Sequence, residues 1–397
     1  MQSLMTTLIS LVYRRRDVMT NPQIRFPEFI DDWKLYSLKD VLERVAKPVD
    51  VNPNILYKQI GIRSHGKGLF YKEKVTGREL GNKRVFWIEP DCFVVNIVFA
   101  WERAVAKTTD NEMGMIASHR FPMYKPITNK ANLDYLVEYF ISIYGHKILI
   151  LASPGGAGRN KTLGQEEFFK SKIRLPSYDE QTKISKFLSL INAKINVQKK
   201  IVTDLEGQKK GLIQKIFSQE VSFKDGLGKR FPRWRKLHIG DILKIMHGRD
   251  YKGESTEKGL YPVLGTGGVI TYVDSYNCDW ACVLIGRKGS IDKPQFMNSP
   301  FWSVDTLFFS KPKEKQNPLF QYYLFQNINW KKYDESTGVP SLSASTIENI
   351  KVNVPCLEEQ NKIAAFLHSY DQKIKVERAV LEDWQQIKKG LLQQMLI

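Results

Sequence analysis

Residues 176–218 read PSYDEQTKISKFLSLINAKINVQKKIVTDLEGQKKGLIQKIFS, and residues 355–397 read PCLEEQNKIAAFLHSYDQKIKVERAVLEDWQQIKKGLLQQMLI. The two strings align without a gap at a constant offset of 179. Pro176/Pro355, Glu180/Glu359, Gln181/Gln360, Ile184/Ile363, Phe187/Phe366 and Lys194/Lys373 are identical, as are the runs Lys209–Leu212 and Lys388–Leu391. A repeat of this kind governs how every other segment is read. A shorter echo opens each half: Arg25-Phe26-Pro27 with Trp33 and Leu35, against Arg230-Phe231-Pro232 with Trp234 and Leu237. The offset is 205 at Phe26/Phe231 and 179 at Pro176/Pro355, so the second middle is 26 residues shorter. Constant flanks around dissimilar middles suggest one frame carrying two different readers.

The repeated string has the spacing of a helix seam. Ile184, Leu188, Ile191, Ile195, Val202, Leu205 and Leu212 alternate by fours and threes around the polar Gln198 and Lys209. Ile363, Leu367, Tyr370, Ile374, Leu381, Trp384 and Leu391 repeat the phase around Glu377 and Lys388. Apolar residues at this spacing line one stripe and require a helical partner. Pro176 and Pro355 stand where a proline can start a helix. The expected fold is α+β: two mixed α/β domains separated by two long helices packed as an antiparallel coiled coil, an internal repeat with pseudo-two-fold symmetry. Boundaries are expected at 1–22 for an N-terminal extension, 23–175 and 223–354 for the two domains, and 176–222 and 355–397 for the helices.

The net charge of +18 favours a polyanionic partner, nucleic acid above all. Hydrophobic content of 42% excludes wholesale disorder. Cys92, Cys278, Cys282 and Cys356 have no zinc or redox spacing, which fits a reduced, cytoplasmic protein with structural thiols. No apolar run is long enough for a membrane span. Leu4–Tyr13 is mildly apolar but precedes Arg14-Arg15-Arg16, the wrong order for an export signal. Met19 is therefore expected as the natural start, with residues 1–18 an upstream extension.

Each middle carries strand-like runs and basic, glycine-flanked loops. In the first, Val85–Ile88 and Phe93–Val98 read as strands and Leu133–Ile150 as a helix. Arg63, His65 and Lys67, then Lys83 and Arg84, then Arg103, Arg120, Arg159, Asn160 and Lys161 are its candidate DNA-binding residues. In the second, Ala281–Ile285 and Thr306–Phe309 read as strands, and Arg249, Lys252, Arg287, Lys288, Ser341 and Ser343 are the candidates. Arg and Lys neutralise phosphates, and glycine lets the backbone approach closely. Arg can also pair bidentately with guanine, and Asn with adenine.

Catalytic motifs fail on inspection. Gly155–Thr162 places Asn160 where a phosphate-binding loop needs its last glycine. Asn317-Pro318-Leu319-Phe320 lacks the second proline of an adenine methyltransferase motif, no Glu-x-Lys triplet occurs, and the histidines show no ligand spacing. A DNA-binding chain without such motifs would lend specificity to something else.

At this point the chain resembles the specificity subunit of Type I restriction–modification systems. The resemblance covers 19–397 and rests on the order variable–helix–variable–helix and on local strings. Arg25–Phe29, Glu180-Gln181-x-Lys183-Ile184 and Glu359-Gln360-x-Lys362-Ile363 look like that family's constant regions. Tyr261–Gly265, Ile285–Ser290 and Pro340–Ser343 look like its target recognition domains. The resemblance implies that each middle is a target recognition domain reading one half of a bipartite site in double-stranded DNA, with the helices as the spacer. It implies two modification (methyltransferase) subunits methylating adenine, and restriction subunits that translocate and cut DNA. No cofactor is expected in this chain; S-adenosylmethionine, ATP and Mg2+ are expected on the partner subunits. A stand-alone DNA-modifying enzyme and a coiled-coil adaptor without sequence readout remain as alternatives.

Overall fold

In a computed structural model, residues 12–13, 21–155, 161–254 and 259–397 are described. The chain divides into two compact units, one of residues 1–198 with 380–397, the other of residues 199–379.

In the first unit, β1 (Lys34–Ser37) pairs antiparallel with β10 (Lys172–Leu175), closing the middle at its base. Between them lie β2 (Leu42–Val45), the hairpin β3 (Ile60–Ile62) and β4 (Leu69–Tyr71), β5 (Val85–Trp87), β6 (Phe93–Val95), β7 (Val105–Lys107), β8 (Ile116–Ser118) and β9 (Met123–Pro126). Helices α1 (Leu133–Ile141) and α2 (Ile143–Leu151) follow. The central sheet has the order β7-β6-β9-β2 and is antiparallel throughout. Phe93, Val95, Val105 and Tyr124 face one apolar cluster with the helices, while Val94, Ala106 and Met123 face another with Ile60, Ile88 and Ala117. Burial on both faces explains why Phe93-Val94-Val95 reads as an unbroken apolar run rather than an alternating one. The strand ends at Val95, short of the expected Val98, because Asn96 Oδ1 accepts from the Val98 N–H and turns the chain. The expected helix over Leu133–Ile150 is two helices. Ser142 takes extended dihedrals (φ −65°, ψ 171°) and its hydroxyl accepts from the Gly145 N–H, which starts α2 afresh.

From β10 the chain enters α3 (Tyr178–Phe217), whose first half belongs to the first unit. Ser177 Oγ accepts from the Glu180 N–H at 3.3 Å and caps its start. Ile184, Leu188, Ile191 and Ile195 are buried with Leu391, Leu392, Met395 and Leu396 near the chain's end. Each such side chain contributes about 1.5–3 kcal/mol by burial. The beginning of one helix thus lies against the end of the other, an antiparallel arrangement.

The second unit repeats the plan. β11 (Arg235–His238) leads to β12 (Leu243–His247), β13 (Tyr261–Gly265), β14 (Gly268–Val273), β15 (Cys282–Gly286), β16 (Gln295–Met297), β17 (Trp302–Ser303) and β18 (Leu307–Pro312). Helices α4 (Pro318–Asn327) and α5 (Ala344–Glu348) follow, then β19 (Lys351–Val354) and α6 (Leu357–Gln394). β11 and β19 form the basal ribbon. The central sheet runs β12-β18-β15-β16 and is again buried on both faces, Val283, Ile285 and Phe308 toward the helices and Leu284, Leu307 and Phe309 toward the sheet β14-β13-β17. Cys278 and Cys282 lie in that outer cluster with their sulfurs 3.8 Å apart. Ile213 and Ile216 pack with Ile363, Ala364 and Leu367, and Arg378 reaches Glu206 at 2.5 Å, so here the end of α3 meets the beginning of α6.

Four seam positions depart from expectation. Leu212 is only half-buried, while Ile213 is buried. A straight helix lags a seven-residue repeat by about 20° per heptad. Four heptads from Ile184 the seam has drifted nearly one residue, which brings Ile213 inward. Tyr370, Leu381 and Trp384 are likewise only half-buried.

Each long helix is locked to its unit in the same way. Gln181 Oε1 accepts from the Asn132 N–H (2.8 Å) while its amide donates to the Lys130 and Pro176 carbonyls. Gln360 Oε1 accepts from the Asn317 N–H (3.0 Å) while its amide donates to Gln316 Oε1 and the Pro355 carbonyl. Asn132 and Asn317 each cap the reader helix that follows. Asn317-Pro318-Leu319-Phe320 is therefore a helix start, with Asn317 Oδ1 accepting from the Phe320 N–H.

The second shared feature differs between units. Arg25 donates from Nε and Nη2 to the Glu180 carboxylate, both at 2.7 Å and both buried, and Nη2 also donates to the Asp31 carbonyl. In the second unit Glu359 accepts from Trp234 Nε1 at 3.0 Å, and Arg230 is exposed. The sequence gives the reason: seven positions separate Phe26 from Trp33, but three separate Phe231 from Trp234. The missing residues correspond to those that fold Arg25 back. Burial pushes the Glu359 carboxyl above its ordinary value, against the lowering effect of the Trp234 hydrogen bond.

Glu180→Ala should cost about 3–5 kcal/mol, because it leaves the Arg25 cation buried and unpaired. Glu359→Gln should be neutral or stabilising at pH 7. A carboxyl raised by folding contributes stability that is present in acid and lost as pH rises through its folded value. The advantage of Glu359→Gln should therefore vanish on acidification; denaturant melts of the three chains at neutral and acid pH measure it.

Candidate nucleic-acid interface

The hairpin loop of the first unit is built on the turn at residues 100–103. Arg63 N–H donates to the Gly68 carbonyl, His65 N–H to that of Glu102 and Gly66 N–H to that of Arg103. Gly66 has φ +64°, and a Cβ there would lie 2.5 Å from the Ile141 side chain, so glycine is favoured. The Arg63 guanidinium donates to the Leu69 carbonyl and lies 5.2 Å from the Phe70 ring centre. His65 and Lys67 are exposed at the tip. Arg103 is half-buried, with φ +58° and Nη1 donating to the Ile141 carbonyl, so its head ties the turn to the end of α1.

The ribbon of β5 and β8 brings Lys83, Arg84, His119 and Arg120 together at one end, with His119 N–H donating to the Arg84 carbonyl. All four are exposed. Arg84 and His119 share a cavity of about 140 Å³ with Arg44, Phe86, Phe121 and Gln165. Arg44 comes from β2 and is next to nothing basic in sequence; its neighbourhood exists only because β2 pairs with β9. Lys161 is half-buried. Arg159 and Asn160 lie outside the described residues.

In the second unit two loops converge on the segment 303–306, and a third docks on one of them. Arg249 N–H donates to the Ser303 carbonyl, and the Arg287 and Lys288 N–H groups donate to that of Thr306. Gly289, at φ +86°, donates to the Pro340 carbonyl, and Leu342 N–H donates to that of Arg287. Arg287, Lys288 and Ser341 are thereby adjacent, with the Lys288 side chain exposed. Asp334 accepts from the Ser341 and Ser336 N–H groups, which lowers its carboxyl below the ordinary value. The Ser343 hydroxyl accepts from the Thr346 N–H and donates to Glu335, so it caps α5. Lys252 opens a short turn and is exposed, its N–H donating to Asp250.

Sheet register adds two cations that sequence reading missed. Lys244 on β12 stands directly opposite Lys311 on β18, both exposed, with Lys311 5.2 Å from the Trp280 ring centre. Like charges opposed across a sheet are destabilising. A polyanion would relieve that cost. No short-range signal could have paired residues so far apart in the chain.

The comparisons agree with this architecture. A family model described as the Type I restriction modification DNA specificity domain matches residues 30–206 and 233–383, one match for each half of the repeat. The putative type I restriction enzyme MjaX specificity subunit of Methanocaldococcus jannaschii is 24% identical over 417 residues, covering 93% of this chain and 94% of that protein. The crystal structure of the Type-I restriction-modification system S subunit from M. genitalium has the same fold, with a TM-score of 0.62 at 15% identity over 95% of this chain and 99% of that one. A further chain, solved in a study of complex assembly and conformational transition of the type I R-M system, gives a TM-score of 0.58 at 15% identity, over 92% and 97%. With the model matched in both halves, around two middles held by the same helix lock, the chain belongs to the Type I restriction–modification DNA specificity family.

Proposed function

We propose that this chain is the DNA sequence-specificity subunit of a Type I restriction–modification complex. It performs no chemistry itself. Each reader recognises one half of an asymmetric bipartite target and directs adenine methylation and ATP-dependent restriction by partner subunits. The carrying observation is the doubled frame: the same glutamine lock holds two readers with different loops. Equal frames and unequal readers call for a split, asymmetric site.

The readers correspond to 23–175 and 223–354, and the spacer to 176–222 and 355–397. Lys67, Lys83, Arg84 and Arg120 in the first reader, with Arg249 and Lys288 in the second, supply exposed cations on loops that a rigid scaffold supports, and the half-buried Arg287 lies beside Lys288. Two modification subunits holding S-adenosylmethionine, and restriction subunits using ATP and Mg2+, complete the assembly, which acts in the cytoplasm. No helix among the described residues is long and apolar enough to cross a membrane.

Methylome sequencing of the host with and without the gene tests the reading: a bipartite adenine motif should disappear with the gene. Methyl transfer by the purified chain alone would favour a stand-alone enzyme. Equal competition by random and genomic DNA would favour a non-specific adaptor. Arg287→Ala should weaken or relax one half-site by about 1–3 kcal/mol if the guanidinium meets a base; an equal loss on all sequences would assign it to phosphate. Exchanging residues 235–350 for the equivalent segment of another family member should change one half-site, read from the methylome of the chimera. Whole-heptad insertions between Ile195 and Leu205, matched in the second helix, should change the number of bases between half-sites and leave both half-site sequences intact.

A further inference from the structure

The two polar seam lysines stand at equivalent positions of the repeat, yet they meet different partners. In the first unit Lys388 Nζ lies 3.0 Å from Glu138 Oε2, and Asn192 Nδ2 donates to Glu138 Oε1 at 2.6 Å. In the second, Lys209 Nζ lies 2.5 Å from Asp371 Oδ1, and the Tyr323 hydroxyl donates to Asp371 Oδ2 at 2.6 Å. Asn192 and Asp371 are themselves equivalents, at the same offset of 179. Glu138 and Tyr323 each lie six residues after the asparagine that caps their reader helix, Asn132 or Asn317.

Each joint therefore holds one lysine from one long helix, one residue of the other long helix and one residue of the reader. Each has one cation, one carboxylate and one neutral donor. The carboxylate has changed sides. It belongs to the reader in the first unit (Glu138) and to the spacer in the second (Asp371). The pairs are partly screened from water, the first more than the second: the Lys388 and Glu138 side chains are 19% and 11% exposed, and Lys209 and Asp371 are 11% and 32% exposed, with the Lys209 ammonium 5.1 Å from the Tyr323 ring centre. At such burial, a second carboxylate on one lysine or a lysine with none carries a desolvation penalty that water does not cancel.

We propose that these joints form a docking code that assigns each reader to its own seat on the spacer. A seat offering the neutral Asn192 takes a reader helix with a carboxylate at the sixth position after its cap. A seat offering Asp371 takes a reader helix with a neutral donor there. Exchanged, reader one would bring Glu138 against Asp371 around a single Lys209. Reader two would bring Tyr323 to Asn192 and leave Lys388 without an anion. The assignment rests on reading the two middles as separable readers, the functional proposal above, but its test reads folding and not DNA.

The test is a double-mutant cycle in the full chain. Asn192→Asp crowds two carboxylates around Lys388, and Glu138→Gln removes its only carboxylate in the joint. Combined, they recreate in the first unit the arrangement of the second. Each single variant should lower the thermal midpoint and speed hydrogen exchange in residues 133–141, and the double variant should recover at least half of the larger loss on both readouts. Losses in the double equal to the sum of the singles overturn the code. Should a single variant prove insoluble, soluble double variant supports the code and insoluble double variant overturns it. In a chain with the two readers exchanged, adding Asn192→Asp and Asp371→Asn should restore folding; equal folding without them also overturns it. If DNA recognition fails while the cycle holds, only the functional reading falls.

Discussion

Beneath the first turn of each long helix lies a fully buried glutamine amide, and the architecture hangs on satisfying it. Gln181 and Gln360 are 0% and 1% exposed. Each accepts from the N–H of the asparagine that starts a reader helix, and each donates to the carbonyl of the proline that starts its own. A buried polar group left without partners costs about 1–3 kcal/mol. The amide can avoid that cost only if reader helix, basal ribbon and long helix arrive together in one geometry. Local elements thereby become a frame.

The frame is only approximately symmetric, and its departures are informative. Arg25 reaches Glu180 because an extra stretch between Phe26 and Trp33 folds it back, whereas Glu359 relies on Trp234. The Lys183 and Lys362 ammoniums nevertheless both sit over the phenylalanine of the opening echo, Phe26 and Phe231. The second half has thus kept the aromatic contacts and lost the ion pair. Between the flanks, the central sheets are buried on both faces over most of their length, and among the described residues Lys244 and Lys311 are exposed on one of them. What remains free to vary is chiefly the loops, and these carry most of the candidate cations.

The repeat and the antiparallel helices were legible from residues 176–218 and 355–397 alone, because a sustained heptad phase has few structural solutions, while the family needed the order of the segments and the strings in both middles as well. The doubly buried strands were legible as apolar runs, although Asn96 shortened one and Ser142 split a helix through side-chain hydrogen bonds that periodicity does not register. The candidate interface was legible in composition and less so in detail. Arg103 and Ser343 have the right chemistry for DNA, but their polar groups hold the fold. Arg44, Lys244 and Lys311 gain their neighbours only through strand register.

By itself the sequence determined the periodicities: which stripe of each long helix is apolar, where each helix starts, and that two unlike middles share one pair of flanks. Those follow from spacing along the chain, which folding does not alter. Only the tertiary structure decided which polar atoms meet. Glu138 pairs with Lys388 across 250 positions of sequence, and Lys209 with Asp371 across 162. Such partners are selected by the need to satisfy charge in a place that water has left, and that place exists only once the chain has folded.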